Sequence, residues 1–388
     1  MGSSEIRFSE PDITEAEIDA VATVLRSGWI TTGSENVALE HELADYLGVE
    51  HVVAMASCTA ALEIAVAHLD LPRGSRIGVP TWTFISSALA AYHRGLRPVP
   101  LDIEDDTFNL SGDSLRRALT EDGGLSAVIG VHFGGVALDR SIHEMCAEAG
   151  VPLIEDAAHA LGAVDHRGRV AGQGTAGCCY SFYATKNLTS AEGGALATDD
   201  PELAAFAQSF RLHGLSRDAW ARYSPDARVA AYDVLGDGLK ANLPDVLAAL
   251  ARVQLGRFDE MQATRRTLVL RYRERLASVP DVLTVPRTLD PGGADHLMMV
   301  LLPAGADREA LQATMQLAGV GTSVHFRPLH TFGWFERQGL TAGPGGTPVA
   351  DRHVTRALTL PLHTRMSIDD VDRVCEVLAT SLDRAFAG

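Results

Sequence analysis

Lys186 lies in a stretch whose residue types and spacing could support attack on a carbonyl carbon. An apolar run over 177–183 predicts a strand, and the lysine follows it in a polar loop that ends at the Gly-Gly pair 193–194. A lysine held in a closed site at a strand end can lose its proton and form a Schiff base with an aldehyde or ketone. Most loop lysines are simply solvated, so this interpretation depends on residues upstream.

The turn Ser57-Cys58-Thr59 predicts an anion site. It follows a predicted buried strand, 51–56, and opens a predicted helix, 60–69. Free backbone N–H groups and the helix dipole favour a phosphate at such a turn, although the same residue types are also common as plain helix caps.

Asp156 and Phe84 also follow predicted strands. The strand 151–156 ends in Asp156, and ligands of open α/β sheets sit at the carboxyl ends of strands. A carboxylate there can pair with a cationic ring nitrogen, or it can cap a helix. Phe84 follows the predicted strand 76–79, where an aromatic ring could stack on a planar cofactor or pack in the core; Trp82 is close enough to be an alternative.

These four features together fit pyridoxal phosphate (PLP). The lysine would hold the aldehyde, and the aspartate would keep the pyridine nitrogen protonated so that the ring acts as an electron sink. The aromatic residue would stack on the ring, and the turn would hold the phosphate. Each feature alone is common, but their ordered combination predicts a PLP enzyme.

The composition excludes several other classes of protein. The chain of 388 residues is 46% apolar and 21% charged, as in globular proteins, and is long enough for two domains. Its net charge of -17 argues against nucleic acid or an anionic membrane as partner. Five cysteines without a CxxC pair, no leader and no long apolar stretch predict a cytoplasmic protein with reduced thiols and no metal site.

The order of the predicted elements indicates an α/β fold. Strands alternate with helices through most of the first 255 residues, which favours a mostly parallel α/β/α sheet covered on both faces. We expect a large PLP-binding domain over 1–255 and a small C-terminal α+β domain over 256–388, joined by one long helix around 243–276. The small domain is predicted to contain strands over 294–302 and 323–326 and helices over 308–318 and 368–382.

The chain resembles the DegT/DnrJ/EryC1/StrS family of PLP-dependent sugar aminotransferases. The resemblance implies fold type I, the aspartate aminotransferase type, and covers nearly the whole chain. It is carried by the stretches 27–33 (SGWITTG), 57–62 (SCTAAL), 80–84 (PTWTF), 155–159 (EDAAH), 181–182 (SF) with 184–187 (ATKN), 192–194 (EGG), 211–214 (RLHG), 248–255, 325–330 (HFRPLH) and 360–362 (LPL), whereas Tyr183 replaces a commoner His.

The resemblance implies roles for matching residues at the cofactor. Lys186 is implied as the Schiff-base lysine and proton shuttle, Asp156 as the partner of the pyridine nitrogen, and His159 as a neighbour of the ring oxygen. Phe84 would stack on the ring, and Cys58 stands where members usually carry a small or hydroxyl residue. The cofactor-binding set implied in this way is Ser57, Cys58, Thr59, Phe84, Asp156, His159, Ser181, Lys186, Lys240 and Asn242.

A homodimer is also implied, because in the family the segment of Lys240 and Asn242 reaches the phosphate in the neighbouring subunit's site. Substrate contacts are implied for Trp29, Ile30, Tyr183, Asn187, His325 and Arg327. The His-Phe-Arg form at 325–327, with Lys240 and Asn242, resembles members that aminate C4 of a 4-keto-6-deoxy sugar nucleotide more than it resembles the C3 enzymes.

The expected activity is transfer of an amino group from L-glutamate to a keto-deoxysugar nucleotide, with C4 of a dTDP-4-keto-6-deoxyhexose as the leading substrate. One alternative is a C3-ketosugar or cyclitol (inosose) aminotransferase of antibiotic biosynthesis. Another is a non-catalytic PLP-binding regulator, whose cofactor spectrum would not respond to glutamate. Sugar dehydratases of the same fold resemble the chain less, because they carry His in place of the Schiff-base lysine.

Overall fold

The computed structural model describes residues 5–121, 123–216 and 232–386, with side chains up to 382. The loop predicted over 215–237 therefore lies mostly outside the described residues. Within them, no helix combines the length and the apolar character needed to cross a membrane.

A seven-stranded sheet forms the centre of the larger part of the chain. Its strands are β1 (His51–Met55), β2 (Arg76–Pro80), β3 (Arg97–Leu101), β4 (Ala127–Val131), β5 (Leu153–Asp156), β8 (Cys178–Ser181) and β9 (Gly194–Thr198), in the order β1-β9-β8-β5-β4-β2-β3. The pairs β2–β3, β2–β4, β4–β5 and β5–β8 are parallel, whereas β9 is antiparallel to both β8 and β1. The prediction of a mostly parallel sheet is confirmed.

Helices cover both faces of this sheet, so its strands are buried on both sides. Among the described residues before 257, the α-helices are α1 (Glu15–Ser27), α2 (Ser34–Leu47), α3 (Cys58–His68), α4 (Ile85–His93), α5 (Gly112–Thr120), α6 (Arg140–Glu148), α7 (Pro201–Phe210) and α8 (Asp245–Gly256). Val53 and Met55 of β1 pack in the core formed with α3, α4 and α7, whereas Val52 and Ala54 pack in the core formed with α2 and α8. This alternation is the two-residue period of a strand.

Local signals explain where the helices begin. Thr14 and Glu17 form the predicted capping box of α1. The Ser57 hydroxyl accepts the N–H of Ala60 at 3.1 Å and starts α3, and Asp200 caps α7, which has Pro201 in its first turn. Each cap satisfies backbone donors that the first turn leaves unpaired.

A three-stranded antiparallel sheet organises the C-terminal part. It consists of β10 (Leu283–Val285), β11 (Met298–Leu301) and β12 (Ala357–Leu360). Its core is shared with helices α9 (Phe258–Leu276), α10 (Arg308–Leu317) and α13 (Ile368–Phe386). The described residues also form the ribbon of β6 (Val164–Asp165) and β7 (Gly168–Arg169), the short helices α11 (Gly333–Arg337) and α12 (Pro348–His353), and two 3-10 turns, Phe133–Gly135 and Leu329–Thr331. The domain division at residue 255 stays a prediction.

Two predicted elements differ from the structure. The prediction of a single helix over 243–276 is wrong, because the helix is interrupted at Arg257, between α8 and α9. The Arg257 guanidinium bonds Glu17 and Asp12 of the N-terminal segment. The strand over 323–326 is also wrong, since only Ser323 makes an isolated bridge, to Thr359. The backbone beyond Ser323 turns toward the large sheet, where the carbonyl of His325 accepts the indole N–H of Trp82 at 3.0 Å.

Candidate active site

A cleft of about 560 Å³ lies at the carboxyl ends of the parallel strands, within the usual size range of small-molecule sites. Residues around position 325, from the C-terminal part of the chain, form the opposite wall of the cleft. Ten of the predicted site residues line it: Ser57, Cys58, Thr59, Phe84, Asp156, His159, Ser181, Tyr183, Lys186 and His325. Residues that were predicted from separate sequence patterns therefore line one cavity.

Lys186 lies on a loop whose ends are held together by backbone hydrogen bonds. The N–H of Phe182 donates to the Gly193 carbonyl at 2.8 Å, the N–H of Ser190 donates to the Phe182 carbonyl at 2.9 Å, and the Lys186 N–H donates to the Tyr183 carbonyl at 2.9 Å. Burial lowers the pKa of the Lys186 amine from 10.5 to about 8, and the neighbouring Cys58 and Asp156 partly oppose this shift. A useful fraction of the amine, roughly a tenth, is then unprotonated and nucleophilic at neutral pH.

Asp156 is a buried carboxylate without a cationic partner. It is 4% exposed, accepts the Ser87 hydroxyl at 2.7 Å and the Ala158 N–H at 3.2 Å, and has the Cys58 sulfur 3.9 Å away. Among the residues that the structure describes, no Lys, Arg or His nitrogen lies within ion-pair distance of it. Because a buried charge is costly unless paired, the site fits a ligand with a cationic ring nitrogen.

The turn before α3 is kept open by a glycine. The Gly194 backbone passes so close that a Cβ there would clash with the backbone nitrogen of Cys58 and the carbonyl carbon of Ser57. With no side chain at 194, the first N–H groups of α3 stay available at the dipole's positive end, as phosphate binding requires. This explains the second glycine of the 192–194 stretch.

Three histidines in the cleft are held in the neutral form. Burial, with the charge of Lys186, lowers the pKa of His325 to about 4. Burial also holds the pKa of His159 and of His296 well below the usual range, and Lys186 adds to both shifts. The cleft therefore offers uncharged imidazoles beside the lysine.

Of the two aromatic residues in the 80–84 stretch, Phe84 faces the cleft. It lines the cavity and is 53% exposed, whereas Trp82 is fully buried and packs edge-on against Phe108 at 4.7 Å. The Phe326 ring lies 5.6 Å from that of Phe84 and stacks on His159 at 5.7 Å. A planar ligand would thus meet a largely aromatic wall.

Six of the predicted site residues are not among those that line the cleft of this single chain: Trp29, Ile30, Asn187, Lys240, Asn242 and Arg327. Asn242 donates to the Thr32 hydroxyl at 2.6 Å and is contacted by Lys240. Arg327 bonds Thr331 at 2.9 Å, the indole N–H of Trp29 donates to the Thr32 carbonyl at 3.1 Å, and Ile30 is 52% exposed. Asn187 bonds Gln262, Ala294 and His296. Their roles stay predictions.

The structure adds residues that the sequence patterns did not indicate. Ser87 bonds Asp156, and His296 and Phe8 line the cleft. Phe8 belongs to an N-terminal segment that pairs through Ile6 with Val320, and its ring stacks on His325 at 5.4 Å. No local motif marks these positions, because Phe8 and His296 reach the site from distant parts of the chain, and Ser87 reaches Asp156 through the packing of α4.

A second polar cluster lies on the opposite face of β5. The fully buried carboxylate of Glu155 has His143 Nε2 at 2.9 Å, His132 Nε2 at 3.3 Å and Arg167 Nη2 at 2.7 Å. Burial alone would raise the pKa of Glu155, but the hydrogen bond from His143, the nearby His132 and the charge of Arg167 hold it well below the usual range. His143, Glu155 and Asp165 are close enough to share a cation, and the Arg167 guanidinium already bonds both carboxylates.

The residues of the cleft fit PLP: a lysine with a lowered pKa, an unpaired buried carboxylate, an open helix N-terminus and an aromatic ring share one cavity. The model of the DegT/DnrJ/EryC1/StrS aminotransferase family matches residues 11–379. The chain belongs to this family. It is accordingly a PLP-dependent aminotransferase of fold type I, as the resemblance implied.

Solved structures of similar proteins cover this aminotransferase almost completely. Spr1654 from Streptococcus pneumoniae, described as a sugar aminotransferase and solved in its PMP form, is 30% identical over 99% of each chain, with a TM-score of 0.89. The aminotransferase TlmJ from Streptoalloteichus hindustanus is 31% identical over 98% of this chain and 99% of its own, with a TM-score of 0.87. DesI, solved in the presence of its TDP-sugar product, is 29% identical over 98% of this chain and 94% of its own, with a TM-score of 0.84.

Proposed function

We propose that this aminotransferase moves an amino group from L-glutamate to the keto carbon of a keto-deoxysugar nucleotide. The observation that carries the proposal is Lys186, with its pKa lowered to about 8, in one cleft with the unpaired carboxylate of Asp156. The DesI structure with its TDP-sugar product supports a nucleotide sugar as acceptor. We propose C4 of a dTDP-4-keto-6-deoxyhexose as the leading substrate, from the His-Phe-Arg form at 325–327, of which His325 and Phe326 line the cleft.

When bound, PLP supplies an electron sink that stabilises negative charge on a carbon next to an amine nitrogen. Nζ of Lys186 takes the α-proton of glutamate in the first half of the reaction and delivers a proton to the sugar carbon in the second. Asp156 would keep the ring nitrogen protonated, and the N–H groups of Cys58 and Thr59 would bind the phosphate. The Phe84 ring excludes water from one side of the reacting atoms.

A homodimer completes the site in this proposal. Lys240 and Asn242 lie together at the end of a segment that bonds Thr32 in the same chain, outside the cleft lining. As in the family, this segment would contact the phosphate bound by the neighbouring subunit, and the large and small domains would divide near residue 255. Sedimentation of the protein should then give a dimer.

The activity is tested with purified protein, PLP and glutamate against C4-keto and C3-keto nucleotide sugars and inosose, read by mass spectrometry. A gain of an amino group on the C4-keto sugar supports the proposal, whereas product only from the C3-keto sugar or from inosose replaces it with one of the alternatives. Lys186→Ala is the control and should abolish turnover while the fold is retained. A cofactor spectrum that does not change with glutamate would instead indicate a non-catalytic regulator.

A further inference from the structure

Asn187, directly after the catalytic lysine, uses its polar atoms inside the protein. Its Nδ2 donates to the Gln262 side chain at 2.9 Å and to the Ala294 carbonyl at 2.6 Å, so both amide protons are engaged. Its Oδ1 lies 2.8 Å from Nδ1 of His296. Because this oxygen can only accept, the proton of the neutral His296 ring is on Nδ1.

His296 is held in place from two sides. Its side chain is bound by Asn187, and its backbone N–H donates to the Gly134 carbonyl at 3.0 Å. Its own carbonyl accepts the guanidinium of Arg265 at 2.8 Å, and Arg265 is buried. His296 is 5% exposed and still lines the cleft, so a rigid ring is presented there.

The His296 ring packs against the ring of His159. Their centroids are 4.4 Å apart at an angle of 36°. The N–H of Gly134 donates to Nδ1 of His159 at 3.3 Å, so the proton of neutral His159 is on Nε2. Gly134 therefore bonds both histidines, through its N–H and through its carbonyl.

We propose that Asn187 and His296 are positioning residues, which hold the His159 ring so that its Nε2–H is directed at the bound cofactor. In this arrangement the residue after Lys186 fixes a hydrogen-bond donor contributed by a different strand end. The Lys186 loop and the donor His159 are then held in fixed positions relative to each other. Asn187 thereby affects binding of the cofactor rather than binding of the sugar. The inference depends on PLP as cofactor and not on which sugar is aminated, since PLP binding is measured without substrate.

The test compares Asn187→Ala and His296→Phe with the matched loop variant Thr189→Val. Phenylalanine keeps a ring against His159 but removes the bond to Asn187. Thr189 is buried in the same loop, and its hydroxyl bonds Phe182 and Ala191 without a path to His159. The dissociation constant of PLP is measured by absorbance titration of cofactor-free protein, and the protonated nitrogen of His159 by ¹⁵N NMR of histidine-labelled protein.

Asn187→Ala and His296→Phe should each weaken PLP binding by about tenfold, equal to about 1.4 kcal/mol. A His159 ring that is no longer held in place would move away from the Gly134 N–H that fixes its tautomer, so its ¹⁵N signals should show exchange between the two tautomers. Thr189→Val should change neither readout. Equal weakening in Thr189→Val would overturn the proposal in favour of general loosening of the loop. Unchanged PLP binding and NMR signals in Asn187→Ala, with a raised KM for the sugar, would overturn it in favour of a direct substrate contact.

Discussion

Glu155 and Asp156 are neighbours at the end of β5, and the pleat turns their side chains to opposite faces of the sheet. On one face, Glu155 is met by Arg167 and two histidines, so its charge is compensated inside the protein. On the other face, Asp156 receives a hydroxyl, an N–H and a thiol but no cation from the described residues. The comparison separates a carboxylate that stabilises the fold from one that is ready for a ligand's charge.

Of the changes that compare the two faces of β5, Asp156→Asn should produce the largest effect on catalysis. The change removes the charge that keeps the ring nitrogen protonated, an interaction of about 4 kcal/mol at short range, so kcat should fall by about a thousandfold. The urea midpoint should change little, because Asp156 has no ion pair with any of the described residues to lose. Steady-state kinetics and urea unfolding measure the two quantities, and a variant with near-normal kcat would contradict the assignment.

Glu155→Gln is the matched change on the opposite face, and it should act on stability instead. Removing one partner of a buried ion pair leaves Arg167 undercompensated, although Asp165 still bonds it, so the free energy of unfolding should fall by about 3 kcal/mol. The folded variant should keep kcat within about threefold, since Glu155 does not line the cleft. A large loss of kcat without a loss of stability would remove the distinction between the two faces.

Glu155→Gln should also change how the free energy of unfolding depends on pH in the acid range. The folded-state pKa of Glu155 is lowered, so its contribution is present above the unfolded value of about 4.5 and is lost as the pH falls below it toward the folded pKa. Unfolding of Glu155→Gln followed between pH 5 and pH 3 should therefore depend less on pH than that of the unchanged protein. Parallel pH profiles would indicate that the carboxylate is not held ionised by its partners.

The rate at which Lys186 takes up PLP should depend on pH in the alkaline range, because burial rather than a partner charge shifts the pKa of its amine. The initial rate of PLP uptake by cofactor-free protein should rise about tenfold per pH unit below pH 8 and level off above it, as the free amine forms. Absorbance after mixing measures the rate, with Lys186→Ala as the control without uptake. A midpoint near 10.5 would mean that the amine is solvated.

Cys58→Ser should give the smallest effect. A hydroxyl is a stronger donor than a thiol, and it would lie close to Asp156 and the phosphate turn. PLP should bind up to about threefold tighter, equal to about 0.6 kcal/mol. Cys146→Ser, at a buried position in the core formed with α5 and α6, is the control and should leave PLP affinity unchanged.

Local patterns were enough to predict the parts of the site that follow a strand. The turn at 57–59, Asp156 and the Lys186 loop each follow a strand of the same sheet, so the rule for parallel strands brings them together. Ser87 and His296 could not be predicted in this way, because helix packing and the C-terminal part of the chain set their places. The break at Arg257 was missed for a related reason, since its side-chain partners, Asp12 and Glu17, are distant in sequence.

The N-terminal segment has a practical consequence. Ile6 is anchored beside Val320, and Phe8 contributes its ring to the wall of the cleft next to His325. A chain trimmed to begin at Ser9 would lack Phe8, and this wall of the binding cavity would be open. Substrate screens are therefore best run on protein that retains Ile6 and Phe8.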